Sequence, residues 1–248
     1  MGIVHSTIIV VPCYNEAARL DAAAFSAFLA SDGSVAFLFV DDGSTDATAR
    51  ILHGIAREWP GRIQLLQLQP NQGKAEAVRR GILDAAATQP DLIGYWDADL
   101  ATPLTEIPEM AARFADATVR LVIGSRVRML GHEVRRSALR HYVGRAFATV
   151  ASMQLGLPVY DTQCGAKIFR ATPEALGLFS RPFRLRWCFD VELLARFNAL
   201  SANRAGALIE HPVTRWVDVG ASKLTLRQVV RVLPELVRLP AVVRDERR

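Results

Sequence analysis

Five short apolar runs, Thr7 to Val11, Ala36 to Val40, Ile63 to Leu68, Leu92 to Trp96 and Val119 to Ile123, mark out the first half of the chain. They are rich in β-branched and aromatic residues and alternate little between apolar and polar, the pattern of strands covered on both faces. Between them, Glu16 to Ala30, Ser44 to Trp59, Lys74 to Ala87 and Thr105 to Phe114 carry Ala, Leu and Arg at helical spacing. Strand and helix in turn predict an α/β fold, a doubly wound, mainly parallel sheet flanked by helices. In such sheets ligands gather beyond the carboxyl ends of the strands, where the polar motifs of this chain fall. Farther on, the pattern predicts a short helix with loops over 170–182 and a helix from Phe189 to Leu200. From Thr225 to Val243 it predicts a basic amphipathic segment, Arg227, Arg231 and Arg238 among Leu and Val, with Pro234 and Pro240 interrupting the period.

At 248 residues and 50% hydrophobic, the chain can bury one substantial core, and a single domain over 1–248 is expected. Within it, 1–125 reads as a ligand-binding half, 126–224 as a second half and 225–248 as the amphipathic segment and tail. A formal charge of +5 favours anionic partners, but the Lys clustering of a nucleic-acid binder is missing, so no nucleic acid is expected. Cys13, Cys164 and Cys188 are odd in number and far apart, as reduced thiols of a cytoplasmic protein would be. No run approaches eighteen apolar residues, so neither a transmembrane helix nor a signal peptide is expected, and any membrane contact is peripheral.

The chemistry centres on Tyr95-Trp96-Asp97-Ala98-Asp99, where an apolar run stops at two acids. If the chain is still extended there, Asp97 and Asp99 leave the same face about 7 Å apart. Two such carboxylates repel unless a cation or hydrogen-bond donors hold them ionised, and Mg2+ or Mn2+ bound with phosphate oxygens is the usual remedy. Asp-x-Asp alone also fits a plain turn after a strand. Asp41-Asp42 after the second run and Asn71-Gln72-Gly73-Lys74 after the third add acids, backbone N–H groups at a helix start and a lysine, the makings of a polar cleft. Gly43-Ser44-Thr45-Asp46 reads equally as a helix cap. From Ala117 to Tyr160 the only acid is Glu133 against seven arginines, among them Arg126, Arg135 and Arg136. Arginine forks suit phosphate oxygens, so an anionic acceptor or membrane surface is expected there. Asp190 and Glu192 open the helix at Phe189, where acids also simply stabilise a first turn.

Val11-Pro12-Cys13-Tyr14-Asn15-Glu16, Val40-Asp41-Asp42-Gly43-Ser44-Thr45-Asp46, Gly73-Lys74, Asp97-Ala98-Asp99 and Gly124-Ser125-Arg126 together resemble the inverting family 2 glycosyltransferases of GT-A fold. Downstream, the runs from Asp161 to Phe169, Arg186 to Leu193 and Gly220 to Leu224 resemble the dolichyl-phosphate β-glucosyltransferase branch. The resemblance covers nearly the whole chain. It implies that Pro12, Tyr14, Asn15, Glu16 and Asp42 hold the nucleotide, with Lys74 near it or its phosphates, and that Asp97 and Asp99 manage the ribose and metal, Asp99 ahead of Asp97 as the direct metal ligand. It also places Asp190 near the reaction. The implied activity is metal-dependent transfer of a hexose with inversion to a polyprenyl phosphate, the donor being UDP-glucose ahead of GDP-mannose; the arginine-rich stretch, read on its charge, adds Arg126, Arg135 and Arg136 as the residues expected to serve the acceptor. The alternatives are a GT-A enzyme acting on a hydroxyl acceptor and a non-catalytic nucleotide-sugar-binding protein.

Overall fold

A computed structural model describes residues 5–135, 138–200, 207–217 and 226–246. In chain order the elements are β1 (Thr7–Cys13), α1 (Ala22–Ser31), β2 (Val35–Asp42), α2 (Thr48–Glu58), β3 (Ile63–Leu68), α3 (Lys74–Ala85), β4 (Leu92–Trp96), α4 (Glu106–Ala112), β5 (Leu121–Ser125), β6 (Glu133–Arg135), α5 (Ala138–Leu155), β7 (Ala166–Arg170), α6 (Pro173–Gly177), α7 (Phe189–Leu200), β8 (Leu208–Pro212), β9 (Arg215–Val217) and α8 (Leu226–Glu246). Among the described residues, seven strands form one sheet in the order β3-β2-β1-β4-β7-β5-β8, and β6 pairs with β9 apart from it. The pairs β1–β2, β1–β4, β2–β3 and β5–β8 are parallel, while β7 runs antiparallel to both neighbours.

The two-sided burial expected of the apolar runs follows from the pleat. Val10, Leu38, Val40, Ile93 and Tyr95 point to one face, into a core shared with α3, α5, α7 and α8. Their neighbours Ile9, Val11, Phe37, Phe39, Leu92 and Trp96 point to the other, against α1, α2 and α4. With both faces covered, polar side chains fall mainly at the strand ends, the exceptions including the exposed Gln64 and Gln67 of the edge strand β3 and the buried Lys167 of β7. Every carboxyl end of β3, β2, β1 and β4 therefore opens on one edge of the sheet.

Several boundaries differ from the sequence reading. The helix expected from Glu16 starts at Ala22, because Asp21 caps it by accepting from Ala24 N (2.9 Å). That expected from Ser44 starts at Thr48, since Ser44 and Thr45 turn instead toward Asn15. β7 was not read as a strand at all. Pro234 and Pro240 do not break the C-terminal segment: α8 runs continuously through both, and Leu239, Val242 and Val243 are buried in the same core as α7. Tertiary packing thus overrides the local disfavour of proline. The three cysteines are buried and form no disulfide. Arg136 and the run from Gly220 to Leu224 lie outside the described residues, and Arg135 is described only as backbone closing β6.

Candidate active site

The loops after β1 and β2 are fastened to each other. Asn15 sits in the left-handed region (φ 53°), which its short amide tolerates. There its Oδ1 accepts from Thr45 N (2.8 Å), and its own N–H donates to Ser44 Oγ (3.1 Å). Glu16 N donates to Thr48 Oγ1 (2.8 Å). This stitching leaves Tyr14 exposed and the Glu16 side chain largely covered.

Asp42, at the end of β2, is buried, and its carboxylate braces the loop before α3. It accepts from Gln72 N (2.8 Å), Gly73 N (2.7 Å) and Asn71 Nδ2 (2.9 Å). The N–H groups of Gln72 and Gly73, expected to face a ligand anion, are thus already taken. Burial pushes the Asp42 carboxyl up, and these N–H groups pull against it. Asp41, beside it, accepts from Ser44 N (3.0 Å).

Lys74 opens α3 and reaches Asp97 Oδ1 at 2.5 Å, both side chains being about 40% exposed. Partial desolvation works against the Lys74 ammonium, and the carboxylates of Asp97, Asp190 and Asp99 more than offset it, leaving it above its usual range. The acids after β4 are brought together by a turn and not by the pleat. The strand stops at Trp96, Asp97 N donates to Gly165 O (3.0 Å), Asp99 Oδ1 accepts from Ala101 N (3.1 Å), and Leu100 takes φ 51°. A Cβ on Gly165 would fall inside the Asp97 carboxylate, so any side chain there would push Asp97 out of its present position beside Lys74. Trp96 Nε1 closes the turn by donating to Thr102 O (2.8 Å).

Charge in this turn is unbalanced. Burial and then Asp97 raise the Asp99 carboxyl. Burial also raises the Glu16 carboxyl against the pull of Arg19, with Asp99 and Asp97 adding smaller pushes in the same direction as burial, and Glu16 Oε2 is buried without a hydrogen-bond partner. These oxygen donors fit a hard divalent ion such as Mg2+ or Mn2+. Among the described residues no three His, Cys, Asp or Glu groups gather to enclose one. The fit is therefore to an ion that takes one or two protein carboxylates and completes its shell with phosphate oxygens and water.

On the other side of the turn Asp190 is buried, and its Oδ1 accepts from Lys167 Nζ (2.5 Å) and Tyr95 OH (2.5 Å). Lys167, fully buried, also donates to Cys164 O (2.7 Å) and Thr162 O (3.2 Å). Tyr95 and Lys167 are paired in register across β4 and β7. Arg126 follows β5, but its guanidinium is forked onto Asp161 (Nε to Oδ2 2.6 Å, Nη2 to Oδ1 2.8 Å) and lies over the Trp216 ring. The assignment of Arg126 to an acceptor phosphate therefore meets a fork already occupied by Asp161, one residue beyond the arginine-rich stretch.

Residues 8–175 match the Glycosyl transferase family 2 profile. The chain belongs to glycosyl transferase family 2. It is 32% identical over 246 residues to a dolichyl-phosphate beta-glucosyltransferase of Trichomonas vaginalis, covering 94% of this chain and 70% of that one. To the dolichyl-phosphate beta-glucosyltransferase of Drosophila melanogaster it is 32% identical over 234 residues, covering 88% and 68%. Among solved structures it is similar to glucosyl-3-phosphoglycerate synthase from Mycobacterium tuberculosis in complex with Mn2+, UDP-glucose and phosphoglyceric acid. That likeness has a TM-score of 0.70 at 18% identity and covers 96% of this chain and 79% of that one. The fold is that of the GT-A glycosyltransferases.

In this family 2 glycosyltransferase, Pro12, Tyr14, Asn15, Glu16, Asp42, Lys74, Asp97 and Asp99 all lie at one sheet edge, as the sequence suggested. Asp190 joins them from α7, close enough for its charge to act on Lys74. Sequence reasoning passed over Tyr95 and Lys167 as members of the site. A signal was present: in Ala166-Lys167-Ile168-Phe169 a lysine interrupts a run with the composition of a buried strand, and a buried lysine demands an acid.

Proposed function

We propose that this enzyme transfers glucose from UDP-glucose to a polyprenyl phosphate with inversion at the anomeric carbon. The reading is supported by similarity to dolichyl-phosphate beta-glucosyltransferases along nearly the whole chain. The observation that carries the choice of acceptor is Asp190, whose Oδ1 is engaged by Lys167 and Tyr95 in a buried setting. A hydroxyl acceptor needs a base to take its proton, and at that oxygen the base would have to displace two donors. A phosphate monoester arrives ionised. One of its oxygens bonds to the anomeric carbon while the carbon–oxygen bond to UDP breaks, the electron pair leaving on the diphosphate. The loops after β1 and β2 hold the uridine through Tyr14, Asn15 and Glu16, and Lys74 sets a positive charge beside the departing phosphates. Asp99, with Asp97, would hold Mg2+ or Mn2+, which supplies Lewis-acid stabilisation of the leaving charge when bound.

A lipid-borne acceptor brings the enzyme to a membrane surface from the cytoplasmic side. Among the described residues no helix is long and apolar enough to cross a membrane. A surface contact is supported by α5, which contains no acid and leaves Tyr142, Val150 and Met153 exposed at 71%, 50% and 76%. Arg135 and Arg136 are proposed to serve the acceptor there.

The test is a screen of UDP-glucose and GDP-mannose against undecaprenyl phosphate, dolichyl phosphate and phosphoglycerate, with Mg2+, with Mn2+ and with EDTA. Metal-dependent glucosylation of a polyprenyl phosphate is expected. Transfer to phosphoglycerate alone would replace this reading with a hydroxyl acceptor, and tight nucleotide binding without turnover would replace it with a binding protein.

A further inference from the structure

The segment from Arg184 to Cys188, which leads into α7 and Asp190, takes no part in the sheet, and its N–H groups are held by two side chains. Glu192 Oε2 accepts from Arg184 N (2.8 Å) and Leu185 N (2.9 Å). Glu192 belongs to α7 itself and is locked by Arg196 Nη2 (2.6 Å). The next three N–H groups go to a residue from the other end of the chain: Glu235 of α8 accepts from Arg186 N (3.1 Å) at Oε1 and from Trp187 N (2.8 Å) and Cys188 N (2.9 Å) at Oε2. From this loop Arg186 reaches across to the start of α3. Its Nη2 donates to Gln72 O (3.2 Å), its charge lowers the Asp42 carboxyl, and its guanidinium lies so close to Gly73 that a Cβ there would sit 3.0 Å from Nη2. Gly73 has φ 94° and immediately precedes Lys74.

We infer that Glu235 is a positioning residue for the donor site: by holding the Arg186–Cys188 loop it presses Arg186 onto the Gly73–Lys74 turn. The argument rests on the reading that the cleft beside Lys74 takes a nucleoside diphosphate. A single carboxylate receiving three N–H groups is a strong, charge-assisted anchor. Arg186 and Trp187 are exposed, so water replaces the acceptor for two of the three N–H groups when Glu235 is removed, while the N–H of the buried Cys188 is left without its acceptor and the fold loses some stability there. What changes is where Arg186 stands. The completeness of the donor site is thereby tied to the seating of α8, the helix that closes the chain.

The test compares Glu235→Ala, Glu235→Gln, Arg186→Ala and the Glu235→Ala/Arg186→Ala double variant. It uses calorimetric titration with UDP and amide exchange in the absence of nucleotide. Glu235→Ala and Arg186→Ala should each weaken UDP about tenfold, the double variant should be no weaker than Arg186→Ala, and Glu235→Gln, whose amide oxygen still accepts, should recover most of the affinity. Exchange at Gln72 to Ala75 should quicken in Glu235→Ala together with that at Trp187 and Cys188. UDP affinity within about twofold of the parent, or additive losses in the double variant, overturns the inference. So does unchanged exchange at Gln72 to Ala75. If Glu235→Ala does not fold, Glu235→Asp, which keeps the charge but is one methylene shorter, decides: several-fold weaker UDP supports the inference and parental affinity overturns it. Should the parent prefer GDP to UDP, the donor proposed above falls, and the same variants titrated with GDP still decide this question.

Discussion

Asp190→Asn separates a structural from a chemical role, and the structure sets the size of the effect. Acids in the first turn of a helix are worth below about 1 kcal/mol, and on that view the substitution would be nearly silent for stability. The observed setting is different. Lys167 is fully buried and its only carboxylate among the described residues is Asp190, at 2.5 Å, the remaining partners being the carbonyls of Thr162 and Cys164. Removing one partner of a buried ion pair strands the other charge and costs about 3–5 kcal/mol. At about 2–4 °C per kcal/mol for a chain of this size, the melting temperature should fall by roughly 6–20 °C. Lys167→Met in the Asp190→Asn background removes the stranded charge and should return a large part of the loss, so that the double variant is far more stable than the sum of the two singles implies. Urea unfolding of parent, singles and double measures it. A loss below about 1 kcal/mol for Asp190→Asn, or additive singles, refutes the reasoning. At a temperature where all variants are folded, turnover with a phosphate acceptor should fall only on the order of tenfold, whereas loss of a general base would cost about 10²- to 10⁴-fold.

Asp99→Asn should abolish metal-dependent transfer while raising the metal-free melting temperature, because it relieves a carboxyl that burial and Asp97 hold above its ordinary value. With that carboxyl raised in the fold, the folded state keeps a proton that the unfolded chain releases. The associated stability is greatest below the ordinary value of 3.8 and is lost as pH rises past it. The same sign holds for Glu16 from its ordinary 4.5. In Asp99→Asn the fall of stability with rising pH should be shallower, and an unchanged slope or a lower metal-free melting temperature would contradict this account. Arg126→Ala should destabilise by roughly 3 kcal/mol or more by leaving Asp161 buried without its fork. Its acceptor KM, measured on folded protein, should be little changed, and a selective rise in acceptor KM at parental stability would return Arg126 to the acceptor.

The first half of the molecule was legible because its determinants are local. Each strand is a mainly apolar run, broken only in β3 by Gln64 and Gln67, each is followed by a polar motif, and a parallel sheet with helices on both faces has to present those motifs along one edge. Even there the reason for one juxtaposition was misread. Asp97 and Asp99 meet because the chain turns at once after Trp96 and Gly165 lets its backbone press against Asp97, and the extended spacing of a strand has no part in it. Likewise Ser44 and Thr45 have the composition of a helix cap but serve Asn15, a partner 29 and 30 positions away.

The second half resisted for the same reason taken further, since its polar residues are paired across distances that no sequence window spans. Arg126 meets Asp161 from 35 positions away, Lys167 meets Asp190 from 23, and the loop at Arg186 meets Glu235 from 49. Counting acids between Ala117 and Tyr160 therefore overstated the positive charge left for a ligand: the acid for Arg126 lies just outside the stretch, and Arg145 packs over the ring of Tyr160, 3.6 Å from its centroid. β7 shows how topology creates such pairs. By entering antiparallel between β4 and β5, it sets Lys167 beside Tyr95 on the face where α7 packs, so that one acid on α7 answers a lysine and a tyrosine from two strands. An arginine count is thus weak ground for an anion site in a sheet enzyme, and a lysine inside a buried strand is firmer ground for an acid across from it, because the lysine has no solvent to fall back on.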